Sequence, residues 1–286
     1  MANTLQHVAW IGQSDAAAHR SKLAQCAGVD VKYLDLHEFA DAKAKAGFDA
    51  VISACASEAE LRDVALGPHG VLRSARPGLV YIDTSHVSEE LSREIAALAQ
   101  SVGVRYLRAP ITKGPASGDE VPAYTAMVSG PQEVFDVARF LVEGFSQKVF
   151  YLGQDEEARA MTRVLDVMSG VTLAMWAEAL VFGEAVGLDW IAMLNVMETS
   201  AIGSPLIQDH AAHVAKRDFA SSPRCGEMTE RLAGALKWGK SSGVVLTLTG
   251  LAHQMYLGAL RQSGADADRT AIIPYLESAC GQRASS

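Results

Sequence analysis

The chain has few of the residues that mark secreted, metal-binding or nucleic-acid-binding proteins. Its 286 residues include 4 cysteines, which are scattered and form no C-x-x-C pair. Isolated cysteines of this kind are typical of reduced thiols in a cytoplasmic protein. Basic residues number 25 against 33 acidic ones, for a net charge of -8. This charge opposes general binding to nucleic acid or to an anionic membrane. We therefore expect a cytoplasmic protein without a nucleic-acid partner.

Export signals, long apolar segments and metal-ligand patterns are scarce as well. The N-terminus shows no basic region followed by an apolar one, so nothing in it predicts export. The longest apolar runs, such as 171–182, are short and interrupted compared with the roughly 20 residues that cross a bilayer. His210 and His213 are three residues apart, but no cysteine or carboxylate pattern frames them. We expect no membrane segment and no metal site.

The pattern that is present alternates short apolar runs with helical segments. This alternation predicts parallel strand pairing through right-handed crossovers, and so a doubly wound sheet. After Gly153 the strand pattern stops, and apolar residues recur at helical spacing over 156–186. We predict a Rossmann-type α/β domain over 1–152 and an all-α domain over 153–286. The predicted strands lie at 7–12, 29–35, 50–55, 79–85, 104–110, 123–130 and 148–153.

Several segments carry a family resemblance. They read LGPHGVL at 66–72, PGLVYIDTS at 77–85, GVRYLRAP at 103–110 and AVGLD at 185–189. These motifs and their order resemble the β-hydroxyacid dehydrogenases, a superfamily that includes 3-hydroxyisobutyrate dehydrogenase, 6-phosphogluconate dehydrogenase and, more distantly, imine reductases. The resemblance implies an oxidoreductase that uses NAD or NADP on a small molecule in a cleft between two domains. It also implies a homodimer formed by the helical domains.

The cofactor loop departs from the family pattern. The usual G-x-G-x-x-G becomes GQSDAA at 12–17, so that Gly12 is kept and Gln13 follows it. Ser14 places a side chain where the second glycine lets backbone amides approach the pyrophosphate. Asp15 adds a negative charge near the helix end that holds the phosphates, worth roughly 0.3–1 kcal/mol, or else it caps that helix. We expect dinucleotide binding to be weakened or lost.

Two other segments are expected to contact the dinucleotide. Asp35 ends the second predicted strand, at the distance from Gly12 where an acidic residue receives the adenosine ribose. NADP-using relatives place an arginine just after this strand, where Leu36 stands here, so NAD is favoured, although His37 could still contact a 2'-phosphate. The resemblance also places Cys55 and Ala56 in the loop that lines the cofactor.

The substrate loops keep only part of the family pattern. Ser85 remains from the D-x-S-T motif. The D-A-P-V-S-G-G motif becomes RAPITKG at 108–114, in which a serine and two glycine amides of relatives hold a substrate carboxylate. Here Thr112 can donate a hydrogen bond, Gly114 keeps one glycine, and Lys113 either adds a positive charge or is a solvated loop residue.

The helix that carries the catalytic lysine in relatives departs most. The resemblance places Thr162 at this lysine and Asp166 at an asparagine one turn later, and a later K-D pair aligns with Glu230 and Arg231. A threonine hydroxyl cannot replace a lysine as general acid or base near neutral pH, and such losses typically cost roughly 10²–10⁴-fold. The fallback is that Arg163 or Lys113 reaches into the site, although an arginine stays protonated and makes a poor base.

Two functions remain open from the sequence. The first is an NAD(P)-dependent reductase of an imine or carbonyl compound, with Asp166, Glu178 or Glu230 as the nearby acid. The alternative for Asp166 is a helix carboxylate that is paired with Arg163 or Arg159. The second is a non-redox descendant that uses the fold as a binding module, or uses the interdomain cleft for another reaction.

Overall fold

The computed structural model describes residues 5–12, 29–40, 47–114, 123–220 and 224–281. Its internal contacts divide the chain into two compact units, Met1–Thr162 and Arg163–Ser286. The division lies within a long helix, ten residues beyond the boundary predicted at 152. The reason is local, since Ala158 and Arg159 in the first turns of that helix are buried against the first unit.

The first unit is built on a mixed sheet. Its strands are β1 (His7–Ile11), β2 (Asp30–Leu34), β3 (Ala50–Ser53), β4 (Val80–Asp83), β5 (Arg105–Arg108), β6 (Ile111–Lys113), β7 (Tyr124–Ser129) and β8 (Lys148–Gly153). Their order in the sheet is β2-β1-β3-β4-β5-β7-β6, with β8 paired to β7. The strands from β1 to β5 are parallel to their neighbours, which confirms the doubly wound prediction for this part.

One end of the sheet differs from the sequence expectation. β7 runs antiparallel to β5 and to β6, and β8 runs parallel to β7. The segment 111–113, expected to be a substrate loop, thus forms a short edge strand. A strand pattern fixes which residues face the core but not the direction of pairing, so the sequence could not distinguish these arrangements.

Both faces of the sheet are covered, as alternating side chains require. The helices described in this unit are α1 (Leu36–Ala40), α2 (Glu58–Leu66), α3 (Val71–Ser74), α4 (Glu89–Ser101) and α5 (Gln132–Phe145). On one face of the sheet, Val8 and Trp10 pack in a core cluster with residues of helix α5 such as Phe135. On the other face, Ala9 and Ile11 join a cluster with residues of α2 and α4. The sequence pattern also predicts a helix at 16–27, and this segment lies outside the described residues.

The second unit is helical wherever it is described, as the sequence predicted. Helix α6 (Glu157–Ala185) begins in the first unit and supplies Leu173, Trp176 and Leu180 to the core of the second. The other helices are α7 (Trp190–Thr199), α8 (Pro205–Ala215), α9 (Cys225–Ser241), α10 (Thr247–Ser263), a 3₁₀ helix (Arg269–Ala271) and α11 (Ile272–Ala279).

Helix α6 is also long and apolar enough, by length and composition, to cross a membrane, with a mean hydropathy of 1.5 in its most apolar window. The expectation that every apolar run is too short to cross a bilayer therefore does not hold for this helix. In that window 44% of the residues are buried inside the protein. The absence of a membrane partner stays a prediction.

Candidate functional site

The first strand ends in a turn that requires glycine. Gly12 has φ +101, and a Cβ at this position would lie 2.3 Å from the Ala54 carbonyl oxygen at the end of β3. The Ala54 amide donates a 2.9 Å hydrogen bond to the Ile11 carbonyl oxygen, which holds the two strand ends together. The first glycine of the cofactor loop thus has the backbone role that the sequence assigned to it. Gln13, Ser14 and Asp15 lie outside the described residues.

A cavity of about 540 Å³ opens at the carboxyl ends of β1 and β2. In doubly wound folds this edge of the sheet is where ligands bind. Four carboxylates contribute to its wall, and none of the described residues that line it is basic. The lining residues are Trp10, Ile11, Gly12, Tyr33, Leu34, Asp35, Leu36, Glu38, Glu60, Asp63 and Val64.

Asp35 has a structural role as well as its place in this cavity. The Glu38 amide donates to Asp35 Oδ1 at 2.7 Å, and the Asp35 amide donates to Glu38 Oε2 at 2.9 Å. This reciprocal cap starts helix α1. The cap therefore fixes an exposed carboxylate beside the cavity, where a ribose hydroxyl could bind.

The loop after β3 is tied to the loop after β4. The Cys55 amide donates to Ser85 Oγ at 3.0 Å, and the Ala56 amide donates to Glu60 Oε2 at 2.8 Å. Burial raises the pKa of the Cys55 thiol well above its usual range, and the charge of Asp83 adds to this effect. Cys55 is therefore a neutral packing residue, and the Ser85 hydroxyl, which is 2% exposed, holds a backbone amide.

A buried ion pair underlies the Ser85 loop, and sequence reasoning did not find it. Asp83 and Arg159 are 0% and 1% exposed and pair directly, while Arg159 also donates to the Ser85 carbonyl oxygen. Asp83 Oδ1 accepts hydrogen bonds from Ser53 Oγ at 2.9 Å and from the Ser85 amide at 3.0 Å. Arg159 therefore positions the loop from the first turn of α6.

The remaining substrate-loop residues lie on or beside β6. Thr112 pairs in register with Thr125, and Lys113 with Tyr124, with the lysine side chain exposed. The Gly114 amide donates to the Ala123 carbonyl oxygen at 2.6 Å, so the hairpin uses the amide that relatives offer to a carboxylate. Lys113 thus points to solvent in this structure, and the roles of all three residues stay predictions.

The two family positions on α6 have internal partners. The Thr162 side chain is 5% exposed, and its hydroxyl donates to the Ala158 carbonyl oxygen at 3.0 Å. Asp166 is 3% exposed and receives one guanidinium at each oxygen, from Arg163 at 3.0 Å and from Arg231 at 3.3 Å. The ion pair that the sequence kept as an alternative for Asp166 is present, with Arg231 as a second and unforeseen partner.

The surroundings of Asp166 are rich in arginine. Arg231 also pairs with Glu227, one turn earlier on α9. Burial acts to raise the pKa of Glu227, but the charges of Arg231, Arg224 and Arg269 outweigh it, and this pKa is lowered. Glu178 and Glu230, the other candidate acids, are exposed. Four arginines, Arg163, Arg224, Arg231 and Arg269, therefore act on the two carboxylates Asp166 and Glu227.

A second polar cluster lies elsewhere in this unit. His210 Nδ1 and His213 Nε2 are 3.3 Å apart on α8, and Asp268 Oδ1 lies 3.5 Å from His213 and 4.0 Å from His210. Burial and the nearby Arg269 lower the pKa of His210 to about 4. Sequence spacing did not show this group, because Asp268 is far from the histidines along the chain.

Comparison with known proteins agrees with the geometry of both units. Residues 12–153 match the NAD binding domain of 6-phosphogluconate dehydrogenase, and residues 157–276 match the NAD-binding region of NADP-dependent 3-hydroxyisobutyrate dehydrogenase. Both descriptions support binding of NAD or NADP, as the sequence predicted.

Individual relatives and solved structures are similar over most of the chain. 2-(Hydroxymethyl)glutarate dehydrogenase of Eubacterium barkeri is 27% identical, covering 84% of this chain and 79% of its own length. The structure of 3-hydroxyisobutyrate dehydrogenase from Salmonella typhimurium aligns with a TM-score of 0.80 at 21% identity, over 94% of this chain and 99% of that one. An imine reductase from Myxococcus stipitatus aligns with a TM-score of 0.54 at 15% identity, over 95% and 99%. At these identities the solved structures show the shared fold.

Proposed function

Because this chain belongs to the β-hydroxyacid dehydrogenase superfamily, we propose that it is an NAD-dependent reductase of a small carbonyl or imine compound. The family relationship supports an NAD(P)-dependent dehydrogenase. The finer proposal, reduction rather than oxidation of simple 3-hydroxyacids, rests on the residues of α6. The observation that carries it is the Thr162 hydroxyl, which donates to the Ala158 carbonyl oxygen where relatives carry a lysine.

Oxidation of a hydroxyl and reduction of a carbonyl pass through the same transition state, so both need donors to the charged oxygen and a route for its proton. Neither Thr162 nor the arginines beside Asp166 can exchange that proton near neutral pH, so solvent water must supply it to the alkoxide that hydride transfer leaves. Arg163 and Arg231 can stabilise the negative charge on oxygen, and both are partly exposed, at 17% and 23%. Reduction by NADH is the downhill direction for most ketones near neutral pH, which supports reduction as the reaction.

The same charges favour a carbonyl over a protonated imine. Arg163 and Arg231 pair with Asp166 and Glu227, and Arg224 and Arg269 lie near enough to lower the pKa of Glu227, which leaves local positive charge. A cationic iminium would be repelled by this charge, whereas a carbonyl compound that carries a carboxylate would be attracted. We therefore propose an oxo acid or a related anionic carbonyl compound as the substrate class.

NAD is favoured over NADP by the cavity at the ends of β1 and β2. Its wall includes the carboxylates of Asp35, Glu38, Glu60 and Asp63. A 2'-phosphate would add negative charge beside them, whereas the 2'-hydroxyl of NAD can donate a hydrogen bond to Asp35. NADH should consequently bind more tightly than NADPH.

A homodimer is the assembly we propose. One face of α6 carries exposed apolar side chains at near-heptad spacing, with Met168 61% and Phe182 69% exposed, and α10 adds Leu248 and Leu251 at 66% and 61%. An apolar surface of this extent commonly marks a protein interface. The α6 residues concerned are Val164, Met168, Met175 and Phe182. Light scattering at micromolar concentration should give twice the chain mass, and a monomer would contradict this.

Cofactor binding and turnover can be tested on the native protein. Calorimetric titration with NADH and NADPH should show tighter binding of NADH. NADH consumption should then be detected with a panel of oxo acids and aldehydes, more weakly with cyclic imines, and 3-hydroxyisobutyrate with NAD should give little turnover. Failure of both nucleotides to bind would overturn the proposal in favour of a non-redox descendant of the family. Binding with preferred reduction of imines would overturn the carbonyl assignment.

A further inference from the structure

We propose that His210, His213 and Asp268 form a zinc site in the second unit. Their nearest ligand atoms, one from each side chain, all lie within 4.8 Å of one another. The matches to the two dehydrogenase families assign no function to these residues, and the proposed reaction does not use them. The site is separate from Thr162, Asp166 and the cofactor cavity in its residues and elements, so it stands or falls independently of the proposed function.

The scaffold places all three side chains without help from an ion. Helix α8 begins at Pro205 behind the N-cap Ser204, whose hydroxyl accepts from the Ile207 amide at 3.3 Å. Residues three apart on a helix share a face, so His210 and His213 point the same way. The backbone amide of Asp268 donates to the Phe219 carbonyl oxygen at 3.0 Å, which holds the carboxylate opposite them.

Asp268 is oriented in the manner of a supported metal ligand. Its Oδ1 accepts hydrogen bonds from the Thr270 amide at 2.7 Å and from Thr270 Oγ1 at 2.5 Å, and this caps the 3₁₀ helix. Oδ1 is also the oxygen that faces the histidines, so these hydrogen bonds fix the ligand atom in place and at the same time compete with zinc for it. The side chain is 1% exposed, so its conformation is fixed by the surrounding protein.

The distances between ligand atoms suit four-coordinate zinc. Zinc bonds of about 2.0–2.2 Å to nitrogen and oxygen give a tetrahedron with edges of about 3.3–3.6 Å. The His210–His213 edge is 3.3 Å and the His213–Asp268 edge is 3.5 Å, both within this range. The His210–Asp268 edge of 4.0 Å requires a side-chain shift of about half an ångström. A fourth position remains for water.

The chemistry of the ligands selects the ion. Two imidazole nitrogens and one carboxylate oxygen suit zinc better than calcium or magnesium, which prefer oxygen ligands. The histidine side chains are 13% and 20% exposed, so an ion can reach them from solvent. Arg269 lies near His210, and its charge opposes a dication. We therefore expect affinity below that of closed structural zinc sites.

A bound ion would join two parts of the second unit. Helix α8 supplies both histidines, and the segment before the 3₁₀ helix supplies the aspartate. Zinc would thus crosslink residues 210–213 to residue 268, in addition to the hydrogen bond between Asp268 and Phe219. Since an ion that binds only the folded state stabilises it, zinc should raise the Tm of the protein.

The test uses the full-length chain, without a histidine tag, treated with EDTA and then dialysed. Calorimetric titration with zinc chloride should give one ion per chain, and zinc should raise the Tm. His210→Gln and His213→Gln should each weaken binding at least tenfold, because each removes one ligand atom. His253→Gln, on α10 and outside the cluster, is the matched control and should bind like the native chain.

Cobalt provides a second readout that does not depend on stability. Cobalt(II) added to the EDTA-treated chain should give the intense visible absorption of a four-coordinate site, and His213→Gln should abolish it. The glutamine variants leave the Asp268 cap in place, so they should keep the native fold. Zinc binding that is absent, or equal in the native chain, His210→Gln and His213→Gln, would overturn the proposal and leave the cluster as hydrogen-bonded side chains.

Discussion

Helix α6 carries two arginine–carboxylate clusters that differ in their contact with solvent. In the first turn, Arg159 and Asp83 are both at most 1% exposed and hold the Ser85 loop. Two turns later, Asp166 is buried but its partners Arg163 and Arg231 are partly exposed. An ion pair that is fully buried can only stabilise the fold, whereas guanidinium groups that reach solvent can also contact a substrate. The difference suggests that one cluster maintains the structure and the other is available for chemistry.

The largest expected effect is on stability, at the buried ion pair of Arg159 and Asp83. Arg159→Met leaves Asp83 buried without its cation, which should lower the free energy of unfolding by about 3–5 kcal/mol. Arg62→Ala removes an ion pair with Glu94 whose side chains are about half exposed, and should cost less than about 1 kcal/mol. Urea denaturation of both variants measures the difference. Equal losses of unfolding free energy in the two variants would show that burial does not make one ion pair more important for stability than the other.

The cluster of Asp166, Arg163 and Arg231 should affect turnover more than stability. Arg231→Gln should lower kcat/KM for the carbonyl substrate by about 10²–10³-fold if its guanidinium stabilises the developing oxyanion. Its unfolding free energy should fall by less than that of Arg159→Met. Arg261→Gln, an exposed arginine near the end of α10, is the control and should keep native turnover. Native turnover in Arg231→Gln would remove this residue from the chemistry.

The cofactor cavity allows a smaller change to be predicted. Asp35→Asn keeps a capping residue for α1 but removes the charge that we expect to receive the ribose hydroxyls. A hydrogen bond to a charged group contributes about 1.5–3 kcal/mol, so NADH affinity should fall by about 10–100-fold. The affinity for NADPH should fall less, so the ratio of NADH affinity to NADPH affinity should become smaller. Titration calorimetry with both nucleotides measures this, and an unchanged ratio would reject Asp35 as the selecting residue.

The smallest effect is expected in the cofactor loop. Ser14→Gly restores the second family glycine, and Asp15→Gly removes a charge near the pyrophosphate. The charge alone is worth roughly 0.3–1 kcal/mol, so NADH should bind about two- to fivefold more tightly. Fluorescence titration can resolve such a change. If affinity does not improve, the loop is not what limits cofactor binding.

The fold could be read from the sequence because its signals are local. Strand-helix alternation and the motifs at 66–72 and 77–85 indicated the doubly wound domain, and Gly12 indicated its first turn. The direction of β7 could not be read in this way, because pairing direction depends on distant strands. The pattern of apolar residues is the same for both directions.

The candidate site could be predicted only in part, because the partners of its residues are distant along the sequence. The departures at Thr162 and Asp166 were visible as substitutions in a known pattern. The partners of these side chains were not, since Arg231 is 65 residues from Asp166 and Arg159 is 76 residues from Asp83. Asp268 reaches the histidines of α8 across a similar gap. Ion pairs of this kind depend on tertiary packing, which no local spacing encodes.

The central claim is that Thr162, in place of a lysine, prevents this protein from oxidising simple 3-hydroxyacids. The most direct test compares NAD reduction with 3-hydroxyisobutyrate in the native chain and in the double variant Thr162→Lys, Asp166→Asn, with Thr199→Lys on α7 as a control for added charge. We predict little turnover in the native chain and in the control, and a rise of about 10²-fold or more in the double variant. Oxidation by the native chain at ordinary enzyme rates would contradict the account and would make Lys113 the first candidate for the base.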